Sequence, residues 1–242
     1  MPSYGYPLES IVRSLEGTKR FSEAEQHALR DLPVTIWTVE AQRDIILEGD
    51  PVTQCCVVLD GWICCYHLLA EGRRQILSLH VPGDLPDLQC IHLPRPDFGI
   101  AAVTRATIGF VPHAALRELA TDFPAIAAAL WRETLISAAI HRAWITSLGR
   151  RDARQRFAHL ICELYLRLEA VGLADDHIMP MPLRQPDLAD ALGLTSVHMN
   201  RTLKAMRTGG LIELRSRRLE IRDWAGLSAL AEFSPQYLRL GA

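Results

Sequence analysis

The chain has 242 residues, 49% of them apolar, and a net charge of −2. That length and apolar share support one large or two smaller packed domains and exclude a disordered chain. The balance excludes a globally basic polyanion binder, but the charge is uneven: residues 1–150 are net −4, 151–242 net +2, and 198–222 hold seven Lys/Arg against two acids.

The chain does not open on a basic stretch followed by an apolar run, so no export signal is expected. No uninterrupted apolar run of about 18 residues predicts a membrane helix. With no export signal, the six cysteines point to reduced thiols in the cytoplasm. Residues 7–31 read as a helical lead-in. From Val34 to Pro112 the texture changes to short apolar runs: "TIWTVEAQRDIILEGD", "CCVVLDGWICCYHLL", "RRQILSLHVPGD" and "TIGFVPH". Turn signals at Asp50, Asp60-Gly61, Glu71-Gly72 and Pro82-Gly83-Asp84 recur about every ten residues, as successive strands of a sandwich or jelly roll require. Residues 113–121 read as a short helix. After Pro124 comes "AIAAALWRETLISAAIHRAWITSL", a run of helix formers without Gly or Pro. Apolar residues at 126, 130, 131, 135, 138, 145 and 148 give this long helix a broad apolar side. A further helix is predicted from Asp152 to about Val171, and "GLADDHIMPMPL" reads as a loop.

The stretch "LADALGLTSVHMNRTLKAMRTGGLIEL", Leu188–Leu214, is the most informative. Gln185-Pro186 opens a short helix whose inner face is Leu188, Ala191 and Leu192. Gly193 permits a left-handed turn. Thr195 is a good N-cap for a second helix. On that helix Met199, Leu203 and Met206 repeat at helical spacing and face the core. Val197, Asn200, Arg201, Lys204 and Thr208 fall on the other side. Gly209-Gly210 ends it, and "LIELRSRRLEIRD" alternates as a hairpin with a basic tip, Arg215, Arg217 and Arg218. This pattern is a winged helix-turn-helix. A charged helix face alone is often merely solvated. The adjoining basic hairpin favours phosphate contacts, with the exposed helix face reading base edges.

With the β-rich half, the long helix and the winged element in this order, the chain resembles the Crp–Fnr family of bacterial transcription regulators over about residues 30–222. "LADALGLTSVHMNRTLKAM", "VLDGW" followed by "RRQILSLHVPGD", and "GRRDARQRFAHLI" carry the resemblance. It implies an α+β chain: a cyclic-nucleotide-binding-like β jelly roll over 1–122, a dimerisation helix over 123–150 and a winged helix-turn-helix domain over 151–242. It implies a cytoplasmic, non-enzymatic homodimer on a palindromic operator in double-stranded DNA, with RNA polymerase as a further partner and no membrane contact. By resemblance, Thr195 contacts a phosphate, and Ser196, Val197, Asn200 and Arg201 stand at base-reading positions. His198 and Lys204 lie beside them. Val197 replaces a usual glutamate and Arg184 a usual capping Ser or Thr. Leu130, Leu135, Ala138, Ile145 and Leu148 are the expected dimer contacts.

The barrel departs further. Asp87-Leu88 stands where cyclic-nucleotide binders place Gly-Glu, and Pro96-Asp97 approximately where they place Arg-Ser. A phosphate would meet a carboxylate, so cyclic AMP is not expected as effector. Arg74, Asp87, His141 and Arg142 are candidates for a different effector pocket, its ligand unspecified. If Asp60-Gly61 is a two-residue hairpin turn, Cys56 lies opposite Cys65 as a candidate redox pair, although two buried apolar thiols is the simpler reading. The histidines His67, His80, His92 and His113 show no metal-ligand spacing, and Trp62 and Trp144 fit a core or interface. The alternative function is a redox- or small-ligand-sensing module whose winged domain docks protein rather than DNA.

Overall fold

A computed structural model describes residues 8–17 and 20–240. The chain divides into two compact units. One runs to Leu68 and resumes over Leu77–Ser137; the other takes in Leu69–Ile76 and Ala138–Leu240.

In the first unit, the expected lead-in is two helices, α1 (Glu9–Glu16) and α2 (Glu23–Arg30), separated at Gly17, whose φ is +49°. Residues 7, 18 and 19 of that lead-in lie outside the described residues. Ser22 caps α2 reciprocally with Glu25: its hydroxyl accepts from the Glu25 N–H, and its own N–H donates to the Glu25 carboxylate at 2.7 Å. The strands are β1 (Thr35–Val39), β2 (Asp44–Ile46), β3 (Gln54–Asp60), β4 (Ile63–Leu68), β5 (Arg74–His80, its first three residues grouping with the second unit), β6 (Gly99–Ala102) and β7 (Ala106–Pro112). They form two sheets, β1-β7-β3 and β2-β6-β4-β5. The β6 strand was not apparent from sequence.

Strand β3 explains its own continuous apolar run, because it is buried on both faces. Cys56 and Val58 join Ile63, Cys65, Ile100, Ile108 and Phe110 in a core built from both sheets. Cys55, Val57 and Leu59 face the other way, into a second core with Leu8, Ile11 and Leu15 of the N-terminal segment. Helix α3 (His113–Asp122) and the start of α4 (Pro124–Arg150) close that second core with Leu116, Leu119, Ile126, Ala129 and Leu130. At 27 residues, α4 is about 40 Å long.

In the second unit α4 continues and α5 (Ala153–Ala170) follows. Asp152 caps α5, its carboxylate accepting from the N–H groups of Arg154 and Gln155 at 2.9 Å each. The unit is completed by β8 (Ile178–Pro180), α6 (Gln185–Leu192), α7 (Ser196–Thr208), β9 (Ile212–Arg215), β10 (Arg218–Ile221) and α8 (Trp224–Ala231). Part of the predicted 172–183 loop is thus a strand. β8 pairs antiparallel with β10, giving a three-stranded sheet β8-β10-β9. Phe157, Leu160, Ile161, Leu164 and Leu168 of α5 form the buried spine of the unit.

Candidate nucleic-acid interface

Helices α6 and α7 meet at Gly193, which adopts the left-handed conformation with φ +62°. The Thr195 hydroxyl accepts from the His198 N–H at 3.2 Å and starts α7. Met199, Leu203 and Met206 are buried, while Ser196, Val197, His198, Asn200, Arg201, Lys204 and Thr208 are exposed. The side expected to read bases is therefore free of the unit's own core. Val197 is 65% exposed, a large apolar group on an otherwise polar face. Asn200 Nδ2 donates to Gln185 Oε1 at 3.3 Å, so Gln185 joins this face, a neighbour that sequence reasoning missed.

Beyond Gly209-Gly210, β9 and β10 pair with Arg215 opposite Arg218. Ser216 and Arg217 between them have φ of +49° and +59°, the mirror-image turn that matches strand twist. Arg215, Arg217 and Arg218 are all exposed. Arg215 also pairs with Glu213 at 2.8 Å, so its charge is partly answered within the hairpin. The tip thus presents exposed cations to solvent.

The buttress of this unit contains polar groups that the apolar periodicity hid. Glu163, wholly buried on α5, accepts from Trp144 Nε1 at 3.1 Å to each oxygen and from the Tyr237 hydroxyl at 2.7 Å. Arg167 lies 3.7 Å from its carboxylate. Burial pushes the Glu163 acid above its ordinary range against the opposing pull of Arg167, Tyr237 and Trp144. Arg156 donates from Nη1 to the Leu192 carbonyl at 3.0 Å, answering a carbonyl at the end of α6.

Each residue expected at an effector pocket is placed within its own unit. Arg74, one of them, donates to two carboxylates of α6, Asp187 and Asp190, each at 2.9 Å. Asp87 has no exposure, and its Oδ1 accepts from the Cys56 N–H at 2.8 Å. It is a core group of the first unit rather than an exposed ligand. His141 is half-buried and Arg142 exposed on α4. Asp97 is exposed, and Pro96 beside it is buried.

The proposed cysteine pair is corrected too. β3 pairs with β7, so Cys56 faces Phe110 across the ladder, and β4 pairs with β6, so Cys65 faces Ile100. The two thiols lie in different sheets and meet only as members of the inter-sheet core. Both are free, and burial pushes both well above the ordinary thiol range, which makes them poor nucleophiles. Trp62 and Trp144 are buried. Among the described residues no group of three or more His, Cys, Asp or Glu is placed to hold a metal ion. None of the described helices is long and apolar enough to cross a membrane.

On the dimer face, Leu130 is corrected: it is buried in the core of the first unit with Leu15 and Ile126. The N-terminal turns of α4 therefore do cover that core. Leu135 and Ile145 are 51% and 68% exposed, as is Trp131 at 67%. Ala138 and Leu148 are half-buried.

Two family descriptions match this architecture. Residues 36–123 match the cyclic nucleotide-binding domain and 155–230 the Crp-like helix-turn-helix domain. The chain belongs to the Crp–Fnr family. This Crp–Fnr chain is 29% identical over 235 residues to the nitrogen fixation regulation protein FixK of Azorhizobium caulinodans, covering 94% of this chain and 92% of that one. It is 26% identical over 195 residues to the transcriptional activator protein FnrL of Cereibacter sphaeroides, covering 78% and 77%. The solved structure of FixK2 from Bradyrhizobium japonicum superposes with a TM-score of 0.76 at 27% identity, covering 84% of this chain and all of that one. These relatives are named as transcription regulators, and this Crp–Fnr chain is likewise a DNA-binding transcription regulator rather than an enzyme.

Proposed function

We propose that α7 enters the major groove, with Ser196, Val197, Asn200 and Arg201 at base edges and Thr195, His198 and Lys204 flanking them at the backbone. Arg215, Arg217 and Arg218 of the wing reach the neighbouring phosphates. The observation that carries this reading is the exposure of one polar side of α7 opposite buried Met199, Leu203 and Met206. Arginine reads guanine through O6 and N7, and asparagine reads adenine through N6 and N7. Val197 cannot accept a hydrogen bond from cytosine, and suits a thymine methyl.

The dimer seam is proposed along the outer side of α4. Trp131, Leu135, Ala138, Arg142 and Ile145 are spaced alternately four and three apart, the repeat of a coiled-coil seam. On this reading Arg142 belongs to the seam. On this reading cyclic AMP is not the effector: Pro96-Asp97 supplies no guanidinium, and Arg74 is paired with Asp187 and Asp190, so the cyclic phosphate lacks the charge-assisted bonds it needs. The regulator works in the cytoplasm, with RNA polymerase as its further partner.

Affinity measured against salt tests the interface. Arg217→Ala should weaken all duplexes alike and lower the slope of log affinity against log salt by about one. Arg201→Ala should instead cost about 1–3 kcal/mol on the preferred duplex only. Unchanged affinity in both variants would refute the assignment of α7 and the wing.

A further inference from the structure

Residues 69–76 lie at the tip of the β4–β5 hairpin, yet they group with the second unit. They form a strap along α6. Arg74 Nη2 donates to Asp187 Oδ1 and Arg74 Nε to Asp190 Oδ2, both at 2.9 Å. Asp187 and Asp190 are three residues apart and so share one side of the helix. The next residue of the strap, Gln75, donates from Nε2 to the Ala191 carbonyl at 3.3 Å. The strap thus grips α6 at 187, 190 and 191.

The grip is made by groups that water does not readily replace. The Asp187 side chain is 1% exposed, Arg74 23% and Asp190 30%. Burial alone would raise the Asp187 acid, but Arg184, with Arg74, outweighs it and holds the carboxyl below its ordinary range. Arg184 reaches the same carboxylate from the N-cap position of α6, Nε to Oδ2 at 3.0 Å. Removing either guanidinium leaves a buried charge short of a partner. An eight-residue helix is too short to hold itself, so tertiary contacts fix where α6 sits. Helix α7 packs on α6 through the Gly193 turn and inherits that position.

We infer that Arg74 is a positioning residue for DNA recognition: by holding Asp187 and Asp190 it fixes α6, and through α6 the angle at which α7 presents its reading face. This rests on the assignment of α7 as the recognition helix.

The test uses the full-length protein and a duplex enriched by the wild type from random sequence. Dimer content and folded fraction are measured alongside DNA affinity at several salt concentrations. Arg74→Ala should weaken operator binding on the order of ten-fold per folded dimer and relax the preference among half-site variants. The salt slope should stay as in the wild type, because Arg74 meets carboxylates and not phosphates. Asp190→Ala should do the same more weakly, and the two losses should not add. Arg74→Lys should not restore binding, since one ammonium cannot span both carboxylates in the guanidinium's geometry. A folded Arg74→Ala dimer with wild-type affinity and preference would make the strap merely structural and overturn the inference. A salt slope lowered by about one would show a phosphate contact and overturn it equally. If Arg74→Ala does not fold, Asp190→Ala carries the test with the same readouts. Arg201→Ala, measured beside them, separates a failure of the α7 assignment from a failure of the strap.

Discussion

Asp87→Asn should change how the stability of the protein responds to pH. Asp87 has no exposed surface, and its second carboxylate oxygen lacks a partner. Burial lifts its acid from 3.8 to about 7, against the opposing N–H groups of Cys56 and of Asp87 itself. Above 3.8 the unfolded chain releases this proton while the folded chain keeps it. Stability is therefore full below 3.8 and falls as pH rises through about 7. At about 1.4 kcal/mol per pH unit, the full loss is about 4 kcal/mol, of which about 2–3 falls between pH 5 and pH 8.5. Asparagine keeps an acceptor for the Cys56 N–H but has no proton to lose. Its NH2 group takes over the unpartnered position at a cost of about 1–3 kcal/mol, the same at both pH values. The assay is urea unfolding followed by tryptophan fluorescence, wild type beside Asp87→Asn, at pH 5 and at pH 8.5. The difference between them should move in favour of the variant by about 2–3 kcal/mol from the lower to the higher pH. Parallel behaviour of the two proteins would mean that solvent reaches the carboxylate, and the account of Asp87 as a sealed core group would fail.

Other substitutions probe the remaining parts. Charged replacements at Leu135 and Ile145, both exposed on α4, should yield monomers in sedimentation; an unchanged dimer would remove this seam. Thr195→Ala, which deletes the bond to the His198 N–H, should cost about 1 kcal/mol in thermal unfolding. Tyr237→Phe removes a 2.7 Å donor from buried Glu163 and should cost about 1.5–3 kcal/mol; a loss below about 0.5 kcal/mol would mean that Trp144 and Arg167 satisfy the carboxylate alone. Calorimetry of the ligand-free protein with cyclic AMP should give no binding heat; micromolar binding would show that the barrel is a rewired nucleotide site.

The winged element was legible because each of its parts has a local cause. Gly193 marks the left-handed turn, Thr195 the cap, and Met199, Leu203 and Met206 the buried stripe. The order of long helix and strands was legible for the same reason. What failed depended on contacts distant in sequence. Asp60-Gly61 has the composition of a tight hairpin, but Gly61 answers a different need: a Cβ there would stand 2.5 Å from the Arg105 carbonyl oxygen. Trp62 N–H then donates to Thr104 Oγ1 at 2.9 Å, and β3 and β4 go to different sheets. The expected Cys56–Cys65 register fell with that turn. Leu130 lies on the apolar stripe of α4, but periodicity could not say which stretch of that stripe the first unit would cover. Arg74 finds its carboxylates more than a hundred residues away, and Asp87, in a loop, finds its donor on β3. No local pattern encodes either.

Whether α7 reads half of a two-fold operator is decided by sequencing the duplexes that the wild type and Arg201→Ala enrich from a random pool. The wild type should enrich two inverted half-sites whose centres lie about one helical turn, roughly 10 base pairs, or a multiple of it apart. Arg201→Ala should flatten the preference at one position, and at its symmetry mate, while leaving the spacing intact. An enriched sequence without inverted symmetry, or one whose preferences survive Arg201→Ala unaltered, would contradict the account.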